Sequence, residues 1–215
     1  MPFPWDEQVD QGVTIVLVRH GRTAWNAERR FLGSSDIPLD EVGVAEAAAL
    51  ATVGWSFQRV YASPLGRARD TARHIHPEPH VVPGLVEQSQ GELEGLLGPE
   101  AFARHPGFFA AFATDPTDVA IPGGETLGAC CDRGLRALQA IADQHLPGEV
   151  VAAVTHQMVI ASVACAIRGE PLVHWRRHGV RNGAATALRR LPGGWTVLVE
   201  DWRFDDPPRP GNPAV

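Results

Sequence analysis

Two histidines stand directly after apolar runs. His20 follows Arg19 at the end of TIVLV, and His156 follows Thr155 at the end of VVAAV. A third segment, RVYAS, leads into PLGRA and delivers Arg67. An uncharged imidazole nitrogen is a competent nucleophile near neutral pH and can carry a phosphoryl group. Phosphoryl transfer spreads charge over three equatorial oxygens, so it calls for fixed donors around the reacting phosphorus. Arg19, Arg67, His156 and the Asn26 amide are such donors, and Arg22 adds to the local field. Read alone, Arg19-His20 is a strand end meeting solvent. Together with Arg67 and His156 in matching contexts, it reads as a site for a multiply charged oxyanion.

A departing alkoxide needs a proton, which calls for a carboxylic acid at the mouth of the site. The segment LVEQSQGELEG offers Glu87, Glu92 and Glu94, and chemistry alone leaves the choice among them open. Thr23 reads equally well as a helix cap and as a pocket hydroxyl. Phe102, Phe108, Phe109 and Phe112 read either as core or as a pocket lining. No metal-ligand spacing is evident, and HIHPEPH reads as a surface loop.

The elements that must position these groups alternate between strand and helix. Strands are expected over 13–19, within 57–63, at HVVP, over 149–155, and at 184–190 and 195–201, the last two joined by LPGG. Helices are expected over 23–30, from Asp40 to about 53, from Pro64 to about 74, over 99–114 with a break at Pro106-Gly107, over 126–144 and over 158–167. The alternation predicts an α/β fold, a three-layer α/β/α sandwich with a mostly parallel central sheet and an antiparallel hairpin at its end. Ligands in such sheets bind beyond the carboxyl ends of the strands, where both histidines fall.

Composition narrows the class. The 215 residues are 44% hydrophobic and carry a net charge of −6, which argues against a nucleic-acid binder. All 19 basic residues are arginine, which excludes Schiff-base and Walker lysines and leaves anion recognition to guanidiniums. The three cysteines suggest neither a disulfide framework nor a metal site. There is no membrane span and no signal-like apolar stretch, so a cytoplasmic location is expected. Residues 1–12 read as a loose arm and 206–215 as a Pro-rich tail that does not pack. The apolar strands and PLVHWRRH are compatible with a homodimer but do not decide the oligomeric state.

RHGRTAWN, FLGSSDIPLDEVG, YASPLGRARDTA, GLVEQSQGELEG, PGGET, VTHQ and RNGAAT occur in an order and at spacings that resemble the histidine phosphatase superfamily, which includes cofactor-dependent phosphoglycerate mutases and many small phosphatases. The resemblance spans roughly residues 14–188. It implies a single domain over 1–205 with a small helical cap inserted at about 96–121. It also implies that His20 is phosphorylated, that Arg19, Arg67 and His156 complete the phosphate pocket with Asn26 beside them, and that Glu87 is the proton donor. Four positions depart from the family pattern: Gln90, Leu93, Gln157 and Arg22.

Mutases of this family hold their substrate carboxylate and bisphosphate with extra basic residues. Between Glu94 and Ile121 this chain has Arg104 alone, amid four phenylalanines. The expectation is therefore a metal- and cofactor-independent hydrolase of small-molecule phosphomonoesters. A mutase-like phosphotransferase and a non-catalytic phosphate-binding relative are the alternatives.

Overall fold

The computed structural model describes residues 12–52 and 54–203, so the 206–215 tail and all but the last residue of the N-terminal arm lie outside the described residues. The strands are β1 (Val13–Arg19), β2 (Val60–Ala62), β3 (His80–Val81), β4 (Val150–Thr155), β5 (Ala185–Leu191) and β6 (Gly194–Trp202). They form one sheet in the order β3-β2-β4-β1-β5-β6. β1 to β4 pair in parallel, and β5 is antiparallel to both of its neighbours. The helices are α1 (Ala24–Ala27), α2 (Glu41–Thr52), α3 (Gly66–Arg73), α4 (Gly98–Arg104), α5 (Pro106–Thr114), α6 (Leu127–Ala142) and α7 (Gln157–Ile167).

β1 and β4 are continuous apolar runs because both of their faces are covered. On one face Ile15, Leu17, Val151 and Ala153 pack against Leu138 and Ile141 of α6 and Ile160 and Val163 of α7. On the other, Val16, Val18, Ala152 and Val154 meet Leu50 of α2 and Ala68 and Ala72 of α3. This is the three-layer arrangement. No described helix is long and apolar enough to cross a membrane.

Two local readings are corrected. Pro64 lies ahead of α3, which starts at Gly66 with Leu65 at its N-cap. The helix expected over 23–30 closes after a single turn. Asp40 caps α2 as expected, its Oδ1 accepting the Gly43 N–H at 2.8 Å. The break at Pro106 separates two helices, because a proline nitrogen has no hydrogen to continue the first but fits the first turn of the second. α4 and α5 form the cap, where Phe31, Phe108 and Phe109 pack on Leu93, Ala101 and Ile121.

Register positions the chemistry. Arg19 pairs with Thr155 across β1 and β4, so His20 and His156 leave the sheet side by side. Ala62 pairs with Val154, so Ser63 leaves β2 beside them.

Candidate active site

The turn after β1 is held by close backbone packing. A Cβ on Gly21 would lie 2.3 Å from the Gly43 carbonyl oxygen, and one on Gly43 would lie 1.9 Å from that of Arg22. Only glycine permits this approach of the turn to the first turn of α2. The Gly21 N–H donates to Thr71 Oγ1 of α3 at 3.0 Å, tying the turn to that helix as well.

His20 is buried, at 2% exposure. Its Nδ1 lies 2.7 Å from the Gly21 carbonyl oxygen. A carbonyl only accepts, so Nδ1 carries the hydrogen and the lone pair is on Nε2. Arg67 Nε donates to that Nε2 at 3.3 Å. Burial, Arg67 and Arg19 together push His20 well below the ordinary imidazole range, so it is neutral.

Arg67 is fully buried, and its guanidinium is fixed by main-chain carbonyls: Nη1 donates to Ser35 and Nη2 to Gly33, each at 2.7 Å. The Arg19 Nη1 donates to the Val180 carbonyl at 2.7 Å and to Gln157 Oε1 at 3.0 Å. The His156 ring centroid lies 5.0 Å from that of His20. Burial, then Arg67, His20 and Arg19, push its pKa well down too. Arg19 Nε and His156 Nδ1 are buried without a hydrogen-bond partner among the described residues. Buried polar atoms are rarely left unpaired, and an oxyanion between them would satisfy both.

The three carboxylates separate. Glu92 is largely exposed and faces His105 at 3.7 Å. Glu94 accepts from the N–H groups of Ser34 at 2.6 Å and Ser35 at 2.8 Å, clamping the loop whose carbonyls hold Arg67. Glu87 is 5% exposed, lines the pocket, and accepts from the Gln88 and Met158 N–H groups. Burial raises its pKa above the usual carboxylate range, against the pull of those hydrogen bonds and of Arg67. A carboxyl that keeps its proton to higher pH is suited to general-acid work. Arg133 fixes the loop carrying it: it donates to the Gly84 and Val86 carbonyls and pairs with Glu125 through both Nε and Nη2, each at 2.9 Å.

Thr23 is placed as the cap of α1. Its hydroxyl donates to Asn26 Oδ1 at 3.0 Å, and it is absent from the pocket wall. Asn26 does line the pocket. Its Oδ1 accepts from Thr23 and, at 3.3 Å, from Asn182 Nδ2, which leaves its NH₂ as the group free to face a ligand. Gln157, one of the departures from the family pattern, holds Arg19 and also accepts the Val180 N–H at 3.1 Å.

A cavity of about 270 Å³ opens from His20 and Arg19 toward the cap. Phe102, Phe108, Phe109 and Phe112 all line it, so these side chains serve both cap packing and the cavity wall. Phe102 stacks on Phe109 with centroids 3.9 Å apart. Arg67 and His156 are not among the residues bordering this cavity; they flank the His20 ring, Arg67 through its Nε at 3.3 Å and His156 with its ring centroid at 5.0 Å. Sequence reasoning missed Trp175 and Arg176, which also border the cavity; Arg176 Cζ sits 4.4 Å from the Trp175 ring centroid. It also missed Ser63, Asn182 and the Arg133–Glu125 pair. All of these lie within segments singled out by sequence, or next to them, but no motif or spacing sets them apart from the other residues of their types. Among the described residues, no group of three or more His, Cys, Asp or Glu side chains is arranged to hold a metal ion.

Comparison with known proteins matches residues 15–202 to the family model described as "Histidine phosphatase superfamily (branch 1)". The metal-independent phosphoserine phosphatase of Arabidopsis thaliana is 41% identical over 173 residues, 75% of this chain and 72% of that protein. Phosphoglycerate mutase-like protein 4 of the same plant is 39% identical over 203 residues, 90% and 86% of the two chains. Among solved structures, Bacillus stearothermophilus YhfR superposes with a TM-score of 0.80 at 32% identity, covering 88% of this chain and 96% of that one.

Proposed function

The chain belongs to the histidine phosphatase superfamily, branch 1, and from that premise we propose that it hydrolyses small phosphomonoesters through a phosphohistidine at His20. The observation that carries this reading is the His20 ring itself: its hydrogen is committed to the Gly21 carbonyl, and its Nε2 lone pair faces the Arg67 guanidinium. In the first step Nε2 bonds to phosphorus as the bond to the ester oxygen breaks. The Glu87 proton passes to that oxygen and the alcohol leaves. Arg19, Arg67, His156 and the Asn26 amide hold the three equatorial oxygens. In the second step a water oxygen bonds to phosphorus as the N–P bond breaks. Glu87 takes the water's proton, inorganic phosphate departs, and both side chains return to their starting states. A rapid acid-free quench with radiolabelled substrate tests this directly: label bound to His20, acid-labile and alkali-stable, supports the reading, and none at any time point overturns it.

The cap favours water over a second organic phosphate as acceptor. Its wall is phenylalanine, and the cations bordering the cavity beyond Arg19 are few. Arg30 is engaged with Glu28 and the Gly95 carbonyl, and Arg176 lies at the rim on Trp175. The same wall suits a substrate with an apolar body. Phe102 is 53% exposed, so truncating it leaves the fold intact. Phe102→Ala is expected to lower kcat/KM about tenfold for an aryl or long-alkyl phosphate and less than about twofold for phosphoserine. Equal losses on both substrates, in parallel steady-state assays, would count against an apolar subsite. The three cysteines are free and buried, which supports a reducing, cytoplasmic setting.

A further inference from the structure

We infer that Ser63 is a positioning residue that fixes His156 in the tautomer with its hydrogen on Nδ1, making that ring a hydrogen-bond donor to the phosphoryl group. The inference rests on the phosphohistidine reading above, but its decisive test does not depend on turnover.

The argument begins at Ser63, which is fully buried where β2 ends. Its N–H donates to the Val154 carbonyl at 2.9 Å, so its backbone is locked to the strand that delivers His156. Its Oγ lies 2.7 Å from His156 Nε2. The same Oγ accepts the Leu65 N–H at 3.4 Å, in the turn leading into α3. A hydroxyl has one hydrogen and two lone pairs. With Leu65 supplying a donor, the acceptor in reach of the Ser63 hydrogen is His156 Nε2. If Nε2 instead carried a hydrogen, Ser63 would receive two donors while its own buried hydrogen had no acceptor, a full desolvation penalty. Hydrogen-bond economy therefore puts the lone pair on Nε2 and the hydrogen on Nδ1.

The far side of the ring agrees. His156 Nδ1 is buried and has no partner among the described residues, as does Arg19 Nε. The His20 ring stands 5.0 Å away, so a phosphoryl group on His20 brings its oxygens next to His156. A lone pair there would repel them, whereas an N–H stabilises them. His156 is held neutral by burial and by Arg67, so the donor is an uncharged imidazole whose tautomer matters, not an imidazolium that donates from both nitrogens. Ser63 thus acts through His156 and does not itself touch the substrate.

The test is the nitrogen spectrum of the full-length protein labelled with nitrogen-15 histidine, with His156 assigned by loss of its signals in His156→Gln. The wild type is expected to show a protonated Nδ1 and an unprotonated Nε2 at neutral pH. In Ser63→Ala the ligand-free protein is expected to show a mixture of tautomers that collapses to Nδ1–H on adding orthovanadate. The inhibition constant of orthovanadate should rise about tenfold, the worth of one lost buried hydrogen bond. Ser63→Thr, which keeps the hydroxyl, should restore both readouts. A wild-type spectrum with the hydrogen on Nε2, or on both nitrogens, overturns the inference whether or not any variant folds. So does a Ser63→Ala protein with unchanged tautomer and unchanged orthovanadate affinity. Absence of phosphohistidine in the quench experiment, with the Nδ1–H tautomer present, would instead count against the proposed function alone.

Discussion

His20→Ala is expected to reduce phosphate release from every phosphomonoester tested by on the order of 10⁴-fold or more, measured in chelator beside the wild type. The size of the loss follows from the role: without the imidazole there is no covalent intermediate, and what survives is the stabilisation offered by the remaining donors. Those donors stay in place. Arg67 keeps its bonds to the Gly33 and Ser35 carbonyls, and Arg19 keeps Val180 and Gln157. The variant should therefore still bind inorganic phosphate or orthovanadate while failing to turn over. That pairing separates the two rivals left open by sequence. A non-catalytic phosphate-binding relative would bind equally in both proteins and release nothing from either. A mutase-like phosphotransferase would release little phosphate from the wild type until an organic phosphate acceptor was supplied, and would then transfer label to it. Release that persists in the variant would show that the nucleophile lies elsewhere.

The parts of this site legible in the sequence are those whose residue types carry the chemistry at a strand end. TIVLV running into Arg19-His20 and VVAAV running into Thr155-His156 mark two buried parallel strands with reactive tips, and the Arg19–Thr155 register shows why the tips meet. The choice among Glu87, Glu92 and Glu94 was beyond composition or spacing because all three are one residue type within one loop. Burial separates them, and burial depends on where Arg133 and Glu125 of a distant segment hold that loop. Arg67's fixation was invisible for a different reason. Its partners at Gly33 and Ser35 are main-chain carbonyls, which every residue possesses. Thr23 was ambiguous because a cap and a phosphate ligand ask for the same short hydroxyl side chain; the Asn26 carbonyl oxygen, by accepting its hydrogen, decides for the cap. Trp175 and Arg176 reach the cavity rim only through the packing of their short 3₁₀ segment, Leu172–His178, against α7 and α5. Pro64 misled by one local rule, since a proline favours a first helical turn but equally ends a strand, and here Leu65 intervenes before α3 begins.

The second large effect is expected at Glu87, and it depends on the leaving group. Glu87→Gln should lower kcat/KM by roughly 10²–10⁴-fold for an alkyl phosphate, whose alkoxide cannot leave unprotonated, and by less than about tenfold for an activated aryl phosphate. Equal slowing of both would exclude Glu87 as the acid. The pH profile supplies a second signature. Burial raises the Glu87 pKa, so its proton persists above the ordinary carboxylate range, and if Glu87 is the acid the basic limb of wild-type kcat/KM should fall as pH rises through that raised value. In Glu87→Gln that limb should vanish, because the amide does not titrate. The acidic limb should survive in both proteins and lie below the ordinary imidazole range, since burial, Arg67 and Arg19 depress His20. Stability responds in the opposite sense at each group. The unfolded chain takes up protons on His20 and His156 near pH 6.5 while the native state does not, so stability falls as pH drops below about that value. At Glu87 the native state holds its proton longer than the unfolded chain, so that contribution is present below about pH 4.3 and is lost as pH rises through the native value. Folding thus favours neutral pH for the histidines while the acid step favours lower pH. A pH–activity profile bounded on the acid side by the lowered His20 value and on the basic side by the raised Glu87 value, with unfolding midpoints that fall as pH drops below about 6.5 because two histidines outweigh one carboxyl, is the joint outcome expected from this one buried constellation.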